Sequence, residues 1–258
     1  MFNDEKGLSL DRKNNLVVQS KHQANSAIIG MLLGDASMRR YVLKKAENNR
    51  VSILKNSRVQ LDVTHCGKQL NYLLWKESIL RAYIKFCKLI KDRSKEDEGF
   101  IYYKKTSLVS STRNLIYLYR KFYSSGRKIV DRKLLNRLTD LGLAIWFMDD
   151  GSLIPHSFKP DGEIRALKLR LHTSGFNYDE HVIMKEYFST FGVDFNITMD
   201  KQYFHLSTGK MSSIYNFIDR IKPFVELVGC MGYKIKHYNK FFSTNRPIYK
   251  GDDIVSSA

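Results

Sequence analysis

The sequence predicts an α+β protein built as two similar halves, and three observations carry that prediction. Two short stretches, residues 25–36 and 140–151, are apolar on all sides, as buried helices are, and each closes on an acid, Asp35 and Asp150. Each is followed by the same order of segments: strand-like alternation, a helical stripe, another strand and another helical stripe. The charge is strongly basic, with 43 Lys and Arg against 26 Asp and Glu leaving +17, which fits a polyanionic partner.

Taken in order, residues 1–24 read as a polar arm, 25–135 as the first half, 136–238 as the second and 239–258 as a tail of little periodicity. Asn25 or Ser26 is expected to cap the first apolar helix, and Thr139 or Asp140 the second. Residues 37–50 suggest a basic hairpin turning at 47–49, and 59–65 alternate as a strand with one wet face. A long helix is expected over 71–91, with Leu80, Tyr83, Ile84 and Cys87 as its stripe. A charged loop at 92–98 and a strand at 100–106 follow, then a helix over 112–123 marked by Leu115, Leu118, Tyr119 and Phe122.

The second half begins with a loop or hairpin at 152–162, containing Pro155 and Pro160, and a strand at 167–172. Met184, Tyr187, Phe188 and Phe191 mark a helix over 178–191 with the spacing of residues 80–87. A strand at 202–207 leads to the last long helix, where Ile214, Phe217, Ile218 and Ile221 form the stripe and Pro223 lies near the end.

Composition narrows the classes. Apolar residues make up 43% and aromatic residues 12%, enough for a substantial core. There is no apolar run of about eighteen residues, the length a spanning helix needs. Residues 1–13 are polar and include acids, unlike a signal or transit peptide. Cys66, Cys87 and Cys230 show neither zinc spacing nor a disulfide framework, so a reducing, intracellular compartment is expected. Nothing forms the basic amphipathic helix of a membrane-surface protein.

An acid at a helix C-terminus faces the negative end of the dipole, at a cost of a few tenths to about 1 kcal/mol. Here that happens twice, at Asp35 and Asp150. Two buried helices side by side would bring the acids together, and a divalent cation is their natural partner. The bland alternative is a pair of solvated acids at helix ends. Asp149 points about 100° away from Asp150 and should face the helix interface or cap nearby amides. Gly30 and Gly34 make a flat strip, whereas Ile145 and Asp149 stand in their places on the other helix, with Ala144, Trp146 and Phe147 beside them. Two copies of either helix would leave a void or overpack, so the halves should pair within one chain, as a monomer.

Ile28-Ile-Gly-Met-Leu-Leu-Gly-Asp-Ala36 and Leu143-Ala-Ile-Trp-Phe-Met-Asp-Asp-Gly151 resemble the paired motifs of the LAGLIDADG homing endonucleases, above all the single-chain, intron-encoded type. The resemblance covers residues 25–238. It implies two pseudo-symmetric αββαββα halves packed through their motif helices, with saddle-shaped antiparallel sheets facing DNA. It implies a site-specific endonuclease that breaks both strands of a long asymmetric target by metal-assisted hydrolysis, in the homing of a mobile intron or intein.

Asp35 and Asp150, with Ala36 and Gly151 beside them, would hold Mg²⁺ or another divalent ion such as Mn²⁺. Lys128 and Lys234 follow equivalent helices and would lie near the attacking water; Arg127 and Lys236 compete for that role. Gln60, Asp62 and Thr64, with Lys168, Arg170 and His172, would meet base edges. Arg39, Arg40, Lys104, Lys105 and Lys201 suit phosphate contacts. His65, grouped with the DNA-facing set, and Thr173 end equivalent strands near the metal site. The partner is double-stranded DNA, with intron RNA a further one that the resemblance allows. The host would be bacterial or phage-infected cytoplasm, or an organelle. A non-cleaving relative, an RNA maturase or a transcription regulator, is the rival reading; such proteins often lose one motif acid, and both are present here.

Overall fold

The computed structural model describes residues 7–11, 15–42, 57–91, 101–108, 110 and 112–244. Within the expected N-terminal arm, β1 (Leu8–Leu10) and β2 (Leu16–Val18) pair antiparallel. Leu16 and Val18 enter the core. Helix α1 (Lys21–Leu33) begins at Ser20, whose hydroxyl accepts from the Gln23 amide. The expected caps, Asn25 and Ser26, lie inside the helix instead, and the Ser26 hydroxyl accepts from the Thr139 amide at 2.7 Å.

The first sheet contains β3 (Ser37–Val42), β4 (Ser57–Cys66), β5 (Ile90–Lys91) and β6 (Tyr102–Thr106), antiparallel in the order β3-β4-β6-β5. The turn at 47–49 and the charged loop at 92–98 lie outside the described residues. Helix α2 (Leu70–Leu80) joins β4 to β5 and stops well short of residue 91. The amides of Tyr83 and Ile84 both turn back to the Leu80 carbonyl, and the chain then joins the sheet through Cys87 N to Thr106 O at 2.8 Å. Leu80 and Ile84 are buried in either arrangement, so the apolar spacing alone could not mark the end. Helix α3 (Arg113–Phe122) buries Leu115, Leu118 and Phe122.

A single turn, α4 (Arg132–Leu135), precedes α5 (Asp140–Asp150), for which Thr139 is the N-cap residue. The Thr139 hydroxyl serves Gln23 and Ser26 of α1 rather than its own helix. The second sheet contains β7 (Gly151–Phe158) and β8 (Ile164–Leu171), then, after α6 (Tyr178–Ser189), β9 (Asn196–Asp200) and β10 (Tyr203–Thr208). Its order is β7-β8-β10-β9. Of the loop or hairpin expected at 152–162, the hairpin forms, with residues 152–158 in its first strand and the register broken between Pro155 and Ser157, where proline offers no amide. Asn177 and Glu180 close a capping box at α6. Helix α7 (Met211–Glu226) carries Pro223 inside its last turn, and α8 (Lys236–Thr244) occupies part of what reads as an aperiodic tail. Among the described residues, no helix is long and apolar enough to cross a membrane.

Burial sets the repeat register. Tyr72, Leu73, Lys76, Ile79 and Leu80 of α2 take the places of Glu180, His181, Met184, Tyr187 and Phe188 in α6. Met184 therefore corresponds to Lys76 rather than to Leu80, one turn away from the match that spacing suggests.

α1 and α5 cross at the centre, backbone against backbone. A Cβ on Gly30 would overlap the Gly142 carbonyl oxygen, and a Cβ on Gly142 would overlap Ser26. Against the glycine strip, Asp149 rather than Trp146 or Phe147 takes the place opposite Gly34. Trp146 turns to Phe188 of α6 at 5.6 Å between centroids, and Phe147 to Phe217 of α7 at 5.8 Å. Ala144 and Ile145 are fully buried.

Candidate active centre at the paired helix ends

Asp35 lies just past α1 and Asp150 is the last residue of α5, so the crossing delivers both acids to one end of the helix pair. Burial, then the neighbouring Asp149, pushes the Asp35 carboxyl above its usual range. Burial, then Asp35 and Asp149, pushes Asp150 up to about 8. Carboxyls held this way favour a proton or a cation.

Lys128 and Lys234 meet these helix ends in matching fashion. Lys128 Nζ donates to the carbonyls of Gly34 at 3.2 Å and Ala36 at 2.9 Å. Lys234 Nζ donates to those of Asp149 at 3.4 Å and Gly151 at 2.7 Å. Gly34 and Asp149 are equivalent motif positions, as are Ala36 and Gly151. Two ammonium groups thus sit at the negative ends of the two helix dipoles. Burial pushes both lysines below the usual range, while the nearby acids pull them back up. Arg127, the competitor, instead pairs with Glu180 at 2.9 Å.

Behind Asp35, Asp149 faces the helix interface and takes an amide, as expected, and His65 lies beside the acid, whereas sequence reasoning missed Lys76 and Tyr72. Asp149, with its side chain fully buried, accepts from Lys76 at 2.6 and 2.9 Å and from the Tyr72 hydroxyl at 2.8 Å. Its Oδ2 lies 3.2 Å from the Asp35 amide. Lys76 Nζ is also 2.9 Å from His65 Nε2, and His65 Nδ1 is 3.6 Å from Asp35 Oδ2. Burial and the adjacent Lys76 push His65 down to about 3, which keeps the ring neutral. The sequence holds one signal for this cluster: Lys76 interrupts an otherwise apolar helical stripe.

The donors at the helix ends are oxygens: two carboxyls, each raised first by burial and then by a neighbouring carboxylate, and the carbonyls of Ala36 and Gly151. That set fits a hard divalent ion such as Mg²⁺ or Mn²⁺. A cation would offset the burial and the carboxylate repulsion that lift these acids.

The sheets sort the remaining candidates by face. Arg39, Gln60, Asp62, Thr64 and Lys104 share the open face of the first sheet. Asp62 is buried there between Arg39 Nε at 2.7 Å and Lys104 Nζ at 3.4 Å, so it braces two cations rather than standing free. Gln60 accepts from the Tyr41 hydroxyl and donates to the Ser107 carbonyl, each at 2.8 Å. His65 and Lys105 fall on the opposite face by strand alternation. Lys105 is tied to Glu77 of α2 at 2.9 Å, which removes it from the phosphate-contact set. Arg40 pairs with Val59 on that side and is exposed at the sheet edge. In the second sheet Lys168, Arg170 and His172 share the open face, where His172 meets Ser152 Oγ at 3.2 Å. Lys201 stands exposed in the β9–β10 turn with φ +54°. Thr173 is buried, 2.7 Å from His181 Nε2. Cys66, Cys87 and Cys230 are free thiols.

Over residues 25–214 the chain matches the LAGLIDADG DNA endonuclease family. An uncharacterized protein of Methanocaldococcus jannaschii is 27% identical over 206 residues, 77% of this chain and 68% of that protein. A probable intron-encoded DNA endonuclease of Mycosarcoma maydis is 31% identical over 122 residues, 44% of this chain and 79% of that one. In fold the chain is similar to the homing endonuclease I-WcaI bound to its DNA recognition sequence, with a TM-score of 0.60 and 22% identity across 84% of this chain and 86% of that one. The mixed helix and antiparallel-sheet architecture, the two acid-ended helices and the match over most of the chain lead to one conclusion: this protein belongs to the LAGLIDADG DNA endonuclease family.

Proposed function

We propose that the chain is a homing endonuclease that breaks both strands of a long asymmetric duplex by divalent-ion-assisted phosphodiester hydrolysis. The observation that carries this reading is the repeat at two adjoining helix ends: Lys128 on the carbonyl that follows Asp35, and Lys234 on the carbonyl that follows Asp150. Residues 25–135 and 136–238 act as the two half-units, one for each side of the target. Asp35 and Asp150, with the carbonyls of Ala36 and Gly151, are the residues that would hold the ions. A divalent ion held there would supply an acidified water and neutralise charge on the phosphate. Lys128 and Lys234, already fixed on the helix ends, are placed to stabilise charge developing on the phosphate oxygens. The open sheet faces carry Arg39, Lys104, Lys168 and Arg170 towards the duplex, while Gln60, Thr64 and His172 offer groups for base edges.

Incubating the full chain with a randomised duplex library and Mg²⁺, then sequencing the cut ends, tests this. A single non-palindromic consensus cut on both strands is expected. Selective binding without cutting would favour the maturase or regulator reading instead.

A further inference from the structure

The two halves differ directly beneath their acids. Asp35 lies where α1 has run out of helical partners: Gly34 N still reaches Gly30 O, and Ala36 N reaches Met31 O. The Asp35 amide between them goes to Asp149 Oδ2 of the other helix. Its side chain meets His65 Nδ1 at 3.6 Å. Both of these partners are pinned by one amine, Lys76 Nζ, 2.6 Å from Asp149 Oδ1 and 2.9 Å from His65 Nε2. Lys76 is only 1% exposed and comes from a face of α2 that otherwise buries Tyr72, Leu73, Ile79 and Leu80. Asp35, His65 and Asp149 present ligand-type atoms within 4.8 Å of one another, and the Lys76 amine sits against two of the three.

The Asp150 side has none of this. Gly34 stands where Asp149 does, Met184 where Lys76 does and Thr173 where His65 does, and the Thr173 hydroxyl turns to His181. Asp150 is itself still within α5. One acid is therefore held through main chain and side chain by a buried ion pair, and no acid, amine or imidazole stands at the three matching places around the other.

We propose that Lys76 and the Asp149 carboxylate are positioning residues for the Asp35 centre above all, so that the two strands of the target are cut by unequal centres. This rests on the endonuclease reading above. Lys76 supplies a fixed internal cation for Asp149. It thereby keeps Asp149 out of ion binding and leaves its second oxygen to orient the Asp35 backbone. Loss of the pair loosens Asp35 while Lys128, Lys234 and Asp150 keep their own contacts.

The test uses the duplex recovered by selection, with each strand labelled in turn, and three proteins: the full chain, Lys76→Met and Lys76→Met/Asp149→Asn. The methionine copies the residue found at the matching place in α6. The double variant removes the ion pair without stranding a buried carboxylate, should the single variant fail to fold. Cutting of one strand is expected to fall at least about tenfold while the other stays within about threefold, so that nicked duplex accumulates. Equal slowing of both strands, or of neither, overturns the proposal. Mn²⁺ titration of the same proteins without DNA, followed by water-proton relaxation, gives a readout independent of cutting. Weakening of one class of site by at least about fivefold is expected, and unchanged binding overturns the proposal. A wild-type chain that cuts neither strand sinks the endonuclease reading, and the Mn²⁺ titration alone then decides this one.

Discussion

Gly34 and Asp149 hold the same motif position in the two central helices, and they face each other: a Cβ on Gly34 would come within 2.5 Å of Asp149 Cβ. Two helices of the Asp149 kind would bring two buried carboxylates together, and two of the Gly34 kind would leave Lys76 without its acid. The halves therefore suit each other rather than copies of themselves. Light scattering of the free chain should give about the 30.1 kDa of one copy. A stable dimer would contradict this pairing.

The tightest point of the crossing is Gly30 against the Gly142 backbone. A methyl group there meets a carbonyl that cannot rotate away, unlike the far end of a flexible side chain. Gly30→Ala should cost on the order of 3 kcal/mol, at the upper end of overpacking losses. Urea unfolding measures it. A change below about 0.5 kcal/mol would mean that the helices pass further apart than described.

Lys128→Met and Lys234→Met each remove an ammonium from two helix-end carbonyls. The stability cost should be modest, about 0.3–1 kcal/mol each. Cleavage should slow by about a hundredfold, with duplex affinity kept within about threefold. Parallel losses of cleavage and affinity, measured by titration and single-turnover kinetics, would reduce both residues to phosphate clamps.

The raised Asp150 carboxyl fixes the sign of a pH effect. Its value near 8 in the fold lies above the ordinary 3.8, so the folded protein holds this proton more tightly than the unfolded chain does. The corresponding stability is fully present below about pH 4 and is lost as pH rises towards about 8. On the proposed reading, a divalent ion would take the proton's place above that range. Mg²⁺ at a hundredfold excess over its Kd should therefore stabilise the fold by about 2.7 kcal/mol at high pH and far less near pH 5. Thermal melts with and without Mg²⁺ check this. Equal shifts at both pH values, or an undiminished shift in Asp150→Asn, would contradict it.

Much of this was legible in the sequence. The two apolar helices, their terminal acids and the two basic stretches that bring Lys128 and Lys234 to matching places are all local features. The end of α2 was not, because Leu80 and Ile84 are buried whether the chain stays helical or joins the sheet. Pairing across elements was also hidden. Asp62 reads as a wet strand residue, yet the neighbouring strands close Arg39 and Lys104 over it. Lys105 alternates onto the core side, where Glu77 takes it. The Lys76–Asp149 pair joins residues from opposite halves of the chain, a relation that no spacing rule encodes.

In the proposed function, Asp35 and Asp150 in one chain together make a metal-dependent double-strand cutter. Its most direct test is linearisation of a plasmid bearing the selected site, with the wild-type chain, Asp35→Asn and Asp150→Asn, each with and without Mg²⁺. Linear product is expected only from the wild-type chain with Mg²⁺, while both variants bind the site within about threefold of wild type and yield no linear product. Linear product from either variant, or from the wild-type chain without a divalent ion, would contradict it.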